Sequence, residues 1–426
     1  MLARLMRSPV VAAIFAAAAS VRLFWIVYVL RPPNVQLDFS TFWLGAWAMR
    51  HHVNPYKYDL TLAAYRLKVV IGPVRRANYP PTFFLLFYPL SHLAPWHAYW
   101  VWCAFSVVIL IAALYLLVAA KKIVPPPTAT ILIALGVMYL PIQIHFEFMQ
   151  VQLLVLFLLI LMWMALERGN DLGAGAALAL AGLIKAFPLF MALYLVCARK
   201  WRALGFTILG LAIGFGLTVA IVGAQAFWFF DTIVGHLNPH PGYPFIPIVG
   251  MAGAIVRISQ LLVPDDSNHA ILVARRIVEL IAEITVLALT VAAIVRAQND
   301  RRRAEYAFGL CIVAMILCDS NSWPHYLVFL LMPLSQIAIA TDLGIAPLSA
   351  PVLAVVSYLL TELSYRANHW RVEQMQMTTA SWFGEGMFLA TLMVFVAAYA
   401  LTTRAAEGNR AVKGERDTLL SANAKR

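Results

Sequence analysis

An all-α, polytopic membrane protein of about twelve transmembrane segments is the fold class that this sequence predicts, on three observations. Hydrophobic residues make up 62% of the chain and charged residues 12%, with a mean hydropathy of +0.79, more apolar surface than a soluble core could enclose. The apolar residues come in runs such as 9–30, 96–120, 204–223 and 271–295, long enough at about 1.5 Å per residue to cross a hydrocarbon layer about 30 Å thick. The Lys and Arg behind a net charge of +12 lie in short clusters between those runs and form no single basic stripe. That distribution marks topology and excludes nucleic acid as a partner, while membrane lipids are implied throughout.

The elements follow in order. The run 9–30 begins after Arg4 and Arg7 and has an Ala-rich middle, as a signal peptide would, but it continues through Leu30 for a full crossing and reads as an uncleaved first span. With Arg4 and Arg7 inside, residues 31–81 form a first outer loop with amphipathic helices. After Asp38, the residues Phe39, Phe42, Trp43 and Trp47 recur at helical spacing, closed by Arg50, His51 and His52, which predicts a helix lying on the membrane surface with an acid in its first turn. Asn54-Pro55-Tyr56 stops it, and a second helical stretch carrying Tyr58, Asp59, Arg66 and Lys68 runs to Gly72-Pro73. The stretch 82–93 is too short to cross and is interrupted at Pro89, which fits a half-inserted piece. Leaving it non-crossing places Lys121-Lys122, Glu167-Arg168, Arg199-Lys200-Trp201-Arg202 and Arg301-Arg302-Arg303 on one inner side. Spans then fall near 96–120, 128–145, 151–166, 204–223, 271–295, 305–320, 326–340, 346–362 and 386–402, with 174–184 and 187–198 as two short arms meeting at Lys185. Residues 225–268 form a second large outer loop, 1–403 one transmembrane domain, and 404–426 a cytoplasmic polar tail.

No Walker-type loop or dinucleotide fingerprint suggests nucleotide chemistry. Cys103, Cys197, Cys311 and Cys318 all sit in apolar runs, where they behave as small hydrophobes, so neither a disulfide nor a metal site is expected. The unusual side chains gather at the outer ends of the segments. Asp38, a carboxylate at the water–lipid boundary beneath aromatic residues, suits an enzyme acting on lipid-borne substrates; an Asp at a helix start is also an N-cap, and the two roles are compatible. Lys185, in Gly182-Leu183-Ile184-Lys185-Ala186-Phe187-Pro188-Leu189, is the only lysine inside an apolar segment. An ammonium there costs roughly 2.5–3.5 kcal/mol, so it should face the interior with a partner such as phosphate, unless it snorkels at a helix end. Asp319-Ser320-Asn321-Ser322-Trp323-Pro324 breaks a helix just before His325, whose imidazole could bond a substrate oxygen, meet a phosphate or serve structurally. Arg22, near the outer end of the first span, either snorkels or reaches a phosphate. Gln143, His145, Glu147, Gln150 and Gln152 crowd one outer turn, a pattern that fits a sugar and equally the polarity any turn leaving a membrane needs. Arg275, Arg276, Glu279 and Glu283 read chiefly as ion pairs within a span, and His236, Asn238, His240 and Tyr243, amid Pro239, Pro241 and Pro244, have the look of metal ligands but equally of a proline-stiffened covering loop.

In order and spacing, Asp38-Phe39-Ser40-Thr41-Phe42-Trp43, Asn54-Pro55-Tyr56, Tyr79-Pro80-Pro81, Gln150-Val151-Gln152, Ile184-Lys185-Ala186-Phe187-Pro188-Leu189 and His325-Tyr326 resemble the bacterial polyprenyl-phosphate-sugar transferases of glycosyltransferase family 87. Those enzymes have the C-type (GT-C) membrane fold, and their best-known members make α-1,2-mannosyl linkages on phosphatidylinositol mannosides. The resemblance implies inverting transfer of a hexose, mannose in those members, from a polyprenyl-phosphate donor to a lipid or envelope-glycan acceptor, in a bacterial inner membrane with the site facing the periplasm. Asp38 is then the base. Lys185, His325 and Arg22 fall to the donor phosphate, and Trp43, Tyr56, Asn78, Tyr79, Gln150 and Asp319 to sugar or acceptor. Polyprenyl phosphate is a good leaving group whose charge cationic side chains can meet, so no metal or other cofactor is expected. The loop from Pro239 to Pro247 carries no family match that would identify the acceptor. A flippase or transporter of lipid-linked sugars would also need intramembrane cations and an outer vestibule, but not an acid at the first outer helix, and the chain lacks the internal repeat common in transporters.

The topology makes a direct prediction. Single cysteines placed at Asn54, His240 and Arg371 should react with an impermeant thiol reagent outside sealed cells, and one at Arg302 should not. Labelling at Arg302 would invert the arrangement and carry Asp38 to the cytoplasm.

Overall fold

The computed structural model describes residues 6–29, 37–67, 69, 77, 79–120, 122–233, 248–262, 269–372 and 385–403, and among them every regular element is helical. Six helical stretches are long and apolar enough to cross a membrane: Pro9–Tyr28, Pro95–Ala119, Trp201–Phe230, His269–Ala297, Pro324–Asp342 and Glu385–Thr403. The pair Pro126–Met138 and Leu140–Phe148, bent by 47°, makes a seventh if counted as one span. Gln152–Glu167, Asp171–Ile184, Phe187–Cys197 and Ser349–Tyr365 are apolar but shorter. The expected figure of about twelve is reached only by adding such short helices, and hydropathy alone does not separate a full crossing from a half-length piece. The chain divides into two compact units, Met1–Tyr243 with Trp323–Phe329, and Pro244–Ser322 with Leu330–Arg426.

The first unit contains α1 (Pro9–Phe24), α2 (Leu37–Arg50), α3 (Thr61–Arg66), α4 (Pro81–Phe87), α5 (Pro95–Leu114), α6 (Pro126–Met138), α7 (Leu140–Phe148), α8 (Gln152–Glu167), α9 (Asp171–Ile184), α10 (Ala192–Cys197), α11 (Trp201–Val222) and α12 (Trp228–Ile233). Helix α9 packs against α8 and most closely against α11, where a Cβ added at Gly210 would stand 2.7 Å from that of Ala179. Small residues let helices in lipid approach this closely, which dispersion then rewards. Helix α4 has 7 residues, about 10 Å of rise, and gives way to a short 3-10 turn at Leu90–His92. At that length it is too short to cross by itself, in keeping with its length in the sequence.

Helix α2 departs from expectation. It was expected on the membrane surface, yet Phe39, Phe42, Trp43, Leu44, Ala46, Ala48 and Met49 are all buried, as are Ser40 and Thr41. An interfacial helix needs one polar face, whereas the apolar residues of α2 leave only its ends polar. The helix therefore goes inside, against α4, α5 and the 3-10 turn. Trp43 Nε1 donates to the Leu90 carbonyl at 3.1 Å and Arg50 Nη1 to the Ser91 carbonyl at 2.5 Å, so the middle and the C-terminal end of α2 are tied to the half-length segment. Asn54 ends the following turn as the sequence predicts, its Oδ1 accepting from the backbone N–H of Tyr56 and Lys57 at 2.9 and 3.2 Å.

The second unit contains α13 (Met251–Leu262), α14 (His269–Ala297), α15 (Arg301–Leu317), α16 (Leu331–Asp342), α17 (Ser349–Val372) and α18 (Glu385–Thr403). Asp300 caps α15, accepting from the N–H groups of Arg302 and Arg303. The buried Arg257 donates Nε to Glu385 Oε1 and Nη1 to the Ile248 carbonyl, both at 2.8 Å. Helix α14 has 29 residues, about 43 Å of rise, and exceeds the hydrocarbon thickness. Arg276 and Arg296 are spaced about 30 Å apart along it. The Arg276–Glu279 pair, 2.5 Å apart with the Arg side chain 51% exposed, thus lies towards one end of the span and not deep within it.

Packing of α2 yields a stability prediction. A Cβ at Gly45 would come within 2.9 Å of Phe84 Cδ1 and closer still to Cε1 and Cζ, in a ring that is itself buried. Gly45→Ala should therefore lower stability by about 1–3 kcal/mol, overpacking outweighing the better helix propensity of Ala. Thermal unfolding of purified protein would show it as a lowered midpoint.

Candidate active site

Four side chains that lie far apart in sequence meet in one hydrogen-bonded line within the first unit. Lys185 Nζ donates to the Tyr79 hydroxyl at 3.2 Å, Tyr79 donates to Gln150 Oε1 at 3.1 Å, and Gln150 Nε2 donates to Asp38 Oδ2 at 2.5 Å. Every donor points the same way, from ammonium to carboxylate. Tyr79 and Gln150 in the middle are buried, while Asp38 and Lys185 at the two ends are half-buried.

Each member stands where a helix starts or stops. Asp38 is in the first turn of α2, where the helix dipole favours a negative charge; it lies inside the helix and is not the residue before it, so the simple N-cap role does not describe it. Tyr79 precedes Pro80-Pro81, which start α4. Gln150 follows Met149, a non-glycine residue at φ 49° whose left-handed turn ends α7 and lets the Gln150 N–H reach the His145 carbonyl at 3.1 Å. Lys185 is extended at φ −154° between α9 and a 3-10 turn, because Pro188 lacks an N–H and its ring would strike the Ile184 carbonyl in a continuous helix. Thr82 Oγ1 donates to the Leu183 carbonyl at 2.5 Å, so two of these breaks also satisfy one another's backbone.

Aromatic residues surround the cation. Lys185 Nζ lies 4.4 Å from the Tyr326 ring centroid, 5.0 Å from that of Tyr79 and 5.9 Å from that of Phe187, and Phe187 stacks on Tyr326 at 4.9 Å. Contacts of this type are worth about 0.5–2 kcal/mol each. Together they are comparable with the roughly 2.5–3.5 kcal/mol cost of an ammonium at membrane depth. Tyr326 belongs to the 3-10 turn Pro324–Leu330, which also carries His325, a buried residue whose ring centroid is 6.0 Å from that of Phe148 and 5.1 Å from that of Tyr326. Burial pushes the Asp38 carboxyl up to about 6, outweighing the Gln150 hydrogen bond and the Lys185 charge, which both lower it. Burial, then the charge of Asp38, hold the Tyr79 phenol well above its usual range, so it stays neutral and can donate and accept at once.

The other expected site residues are placed differently. Arg22 Nη2 bonds Gln143 Oε1, lies over the Trp25 ring at 4.9 Å, and through Gln143 connects to Glu147, which accepts from Gln143 Nε2 at 2.7 Å. Trp43 and Tyr56 are buried, with Trp43 bonded to Leu90 as above and the Tyr56 hydroxyl donating to the Tyr79 carbonyl at 2.9 Å. Tyr56 thus holds the backbone of Tyr79, while Trp43 anchors α2 to the turn after α4. Asp319 lies in the second unit, where its Oδ1 accepts from the Asn321 N–H at 3.1 Å. Asn78 lies outside the described residues, as do His236, Asn238, His240 and Tyr243. Sequence reasoning missed the box of rings around Lys185 and the Thr82 clasp; the signal for both was present, since Phe187 and Tyr326 stand in the quoted motifs and Thr82 follows Pro80-Pro81 directly.

A carboxylate and a cation at two ends of one buried polar line, in an apolar helical protein, suit a polar reaction on a lipid-borne substrate. The profile of glycosyltransferase family 87 matches residues 78–320, more than half of the chain. The chain belongs to glycosyltransferase family 87. The matched part takes in Tyr79, Gln150 and Lys185 and stops short of Asp38 and His325. No curated protein and no solved structure matches. Membership makes this a membrane glycosyltransferase, with lipid-linked substrates implied.

Removing the Tyr56 hydroxyl leaves the Tyr79 carbonyl without this buried donor. Tyr56→Phe should cost about 1–3 kcal/mol of stability, read as a lowered midpoint in thermal unfolding, with the helical circular dichroism unchanged.

Proposed function

We propose that the chain is an inverting glycosyltransferase that moves a hexose, mannose by family resemblance, from a polyprenyl-phosphate donor to a hydroxyl of a lipid or envelope-glycan acceptor at the periplasmic face of a bacterial inner membrane. The observation that carries this reading is the line Asp38–Gln150–Tyr79–Lys185, which sets a carboxylate and a cation on one rigid support. Asp38 takes the proton of the acceptor hydroxyl as its oxygen bonds the anomeric carbon; the bond from that carbon to the phosphate oxygen breaks, and the electron pair leaves with polyprenyl phosphate. Lys185 meets the charge that develops on the phosphate, with His325 close by. Attack opposite the leaving group inverts the anomeric centre. Tyr79 and Gln150 act as positioning residues, since each holds one end group in place while remaining neutral.

A base that titrates near 6 is ionised at neutral pH and protonated in mild acid. The value of kcat/KM should therefore fall about tenfold per pH unit below pH 6 and level off above it. Asp38→Asn should lower turnover by about 10² to 10⁴ and abolish that acid limb, with donor binding nearly intact. Near-normal activity in Asp38→Asn would remove the base from this mechanism. Lys185→Met keeps the apolar stem and loses the charge, so it should weaken polyprenyl phosphate binding while leaving acceptor affinity unchanged; Lys185→Arg should retain partial activity, because guanidinium still pairs with phosphate but needs more room. Unchanged lipid-phosphate affinity in Lys185→Met would make the lysine structural.

A further inference from the structure

The turn that carries Gln150 to Asp38 also buries two polar side chains that the relay does not use. His145, in the last turn of α7, and Gln152, the first residue of α8, both have 0% exposure. Among the described residues, neither ring nitrogen of His145 and neither amide atom of Gln152 has a hydrogen-bond partner. Native interiors pair the great majority of such groups, because each unpaired atom bears its full desolvation. The neighbours Ile142, Ile144, Phe146, Met149, Val151 and Leu153 are buried and apolar, so Phe at 145 and Leu at 152 would have met the packing requirement without that burden.

The position of the pair indicates what it meets. His145 lies within electrostatic reach of His325, and Phe148, three residues further along α7, packs its ring near that of His325. Gln152 is two residues from Gln150, which bonds Asp38. A neutral imidazole presents one donor and one acceptor, and a carboxamide two donors and an acceptor. Phosphate, which only accepts, would leave the acceptors of this pair unmet, and Lys185 already suits it. A sugar ring presents hydroxyls that both donate and accept, and so fits all four atoms.

We propose that His145 and Gln152 form the hydroxyl-reading surface of the donor site and determine which hexose is accepted; this rests on the donor reading above. Such a surface discriminates sharply, because a sugar with a misplaced hydroxyl leaves buried atoms unpaired.

The test uses the purified full-length protein and measures affinity for bare polyprenyl phosphate and for polyprenyl-phosphate mannose, glucose and galactose. Wild type should bind at least one glycosylated lipid more tightly than the bare one. In His145→Phe and in Gln152→Leu that sugar-dependent gain should shrink about tenfold or more, with bare-lipid affinity unchanged and thermal stability equal or higher, since each change deletes unpaired buried atoms. If either variant fails to fold, the other decides. An unchanged gain in the folded variants overturns the assignment and makes the two side chains hydrated core groups, as does an equal loss for bare and glycosylated lipids or a wild type that gains nothing from any of the three sugars. A wild type that binds none of the four lipids instead removes the donor reading itself.

Discussion

Polar atoms enclosed by apolar helices must find partners within the chain, and the line from Lys185 to Asp38 is where this protein meets that constraint most fully. Each of the four groups has a use for its neighbour that water would otherwise serve. The uniform donor direction matters, because reversing any one link would set donor against donor or acceptor against acceptor. The ends of the line are half-buried and the middle is buried, so the charged groups remain reachable while the neutral ones hold them. Buried polar lines of this type rigidify when every member is satisfied.

The line exists because helices are interrupted near one another. An unbroken helix would satisfy its own backbone and present side chains only at regular intervals. Pro80-Pro81 start one helix, while the left-handed Met149 and Pro188 each halt one, and these breaks free backbone groups. The freed groups then bond across the breaks, as Thr82 does to Leu183 and Trp102 Nε1 does to the Met149 carbonyl at 3.3 Å. The aromatic packing of α2 completes the arrangement. Phe42 makes edge contacts with Tyr79 and Phe83 at 4.8 and 4.9 Å, and Phe39 with Tyr99 at 5.7 Å. These rings fix the helix that carries Asp38 and supply the burial that raises its carboxyl towards neutrality.

Charge is handled differently elsewhere in the chain. In the second unit, Arg257 is paired directly with Glu385 and also donates to the Ile248 carbonyl. In the first unit, Arg22 is engaged by Gln143 and the Trp25 ring. Lys185 donates to the Tyr79 hydroxyl and lies against three aromatic rings.

The sequence by itself determined the class of protein and most of its segmentation. Apolar runs, basic clusters and prolines are local signals, and transfer from water to hydrocarbon is a local free energy, so the expected spans fall on helical stretches, 128–145 on a pair bent by 47°, and the pieces at 82–93, 174–184 and 187–198 are short as expected. That Asp38, Gln150 and Lys185 need partners inside the protein was also legible, because charges and amides in apolar surroundings are costly wherever they occur. Only the tertiary structure decided that α2 is interior, since the choice between lipid and protein as its apolar partner depends on α4 and α5 and not on α2 itself. Likewise, no spacing rule could join residues 38, 79, 150 and 185, nor separate Gln150, which bonds the acid, from Gln143, which bonds Arg22. Hydrogen bonds are short and directional, so partners distant in sequence are set by how helices pack and not by any pattern along the chain.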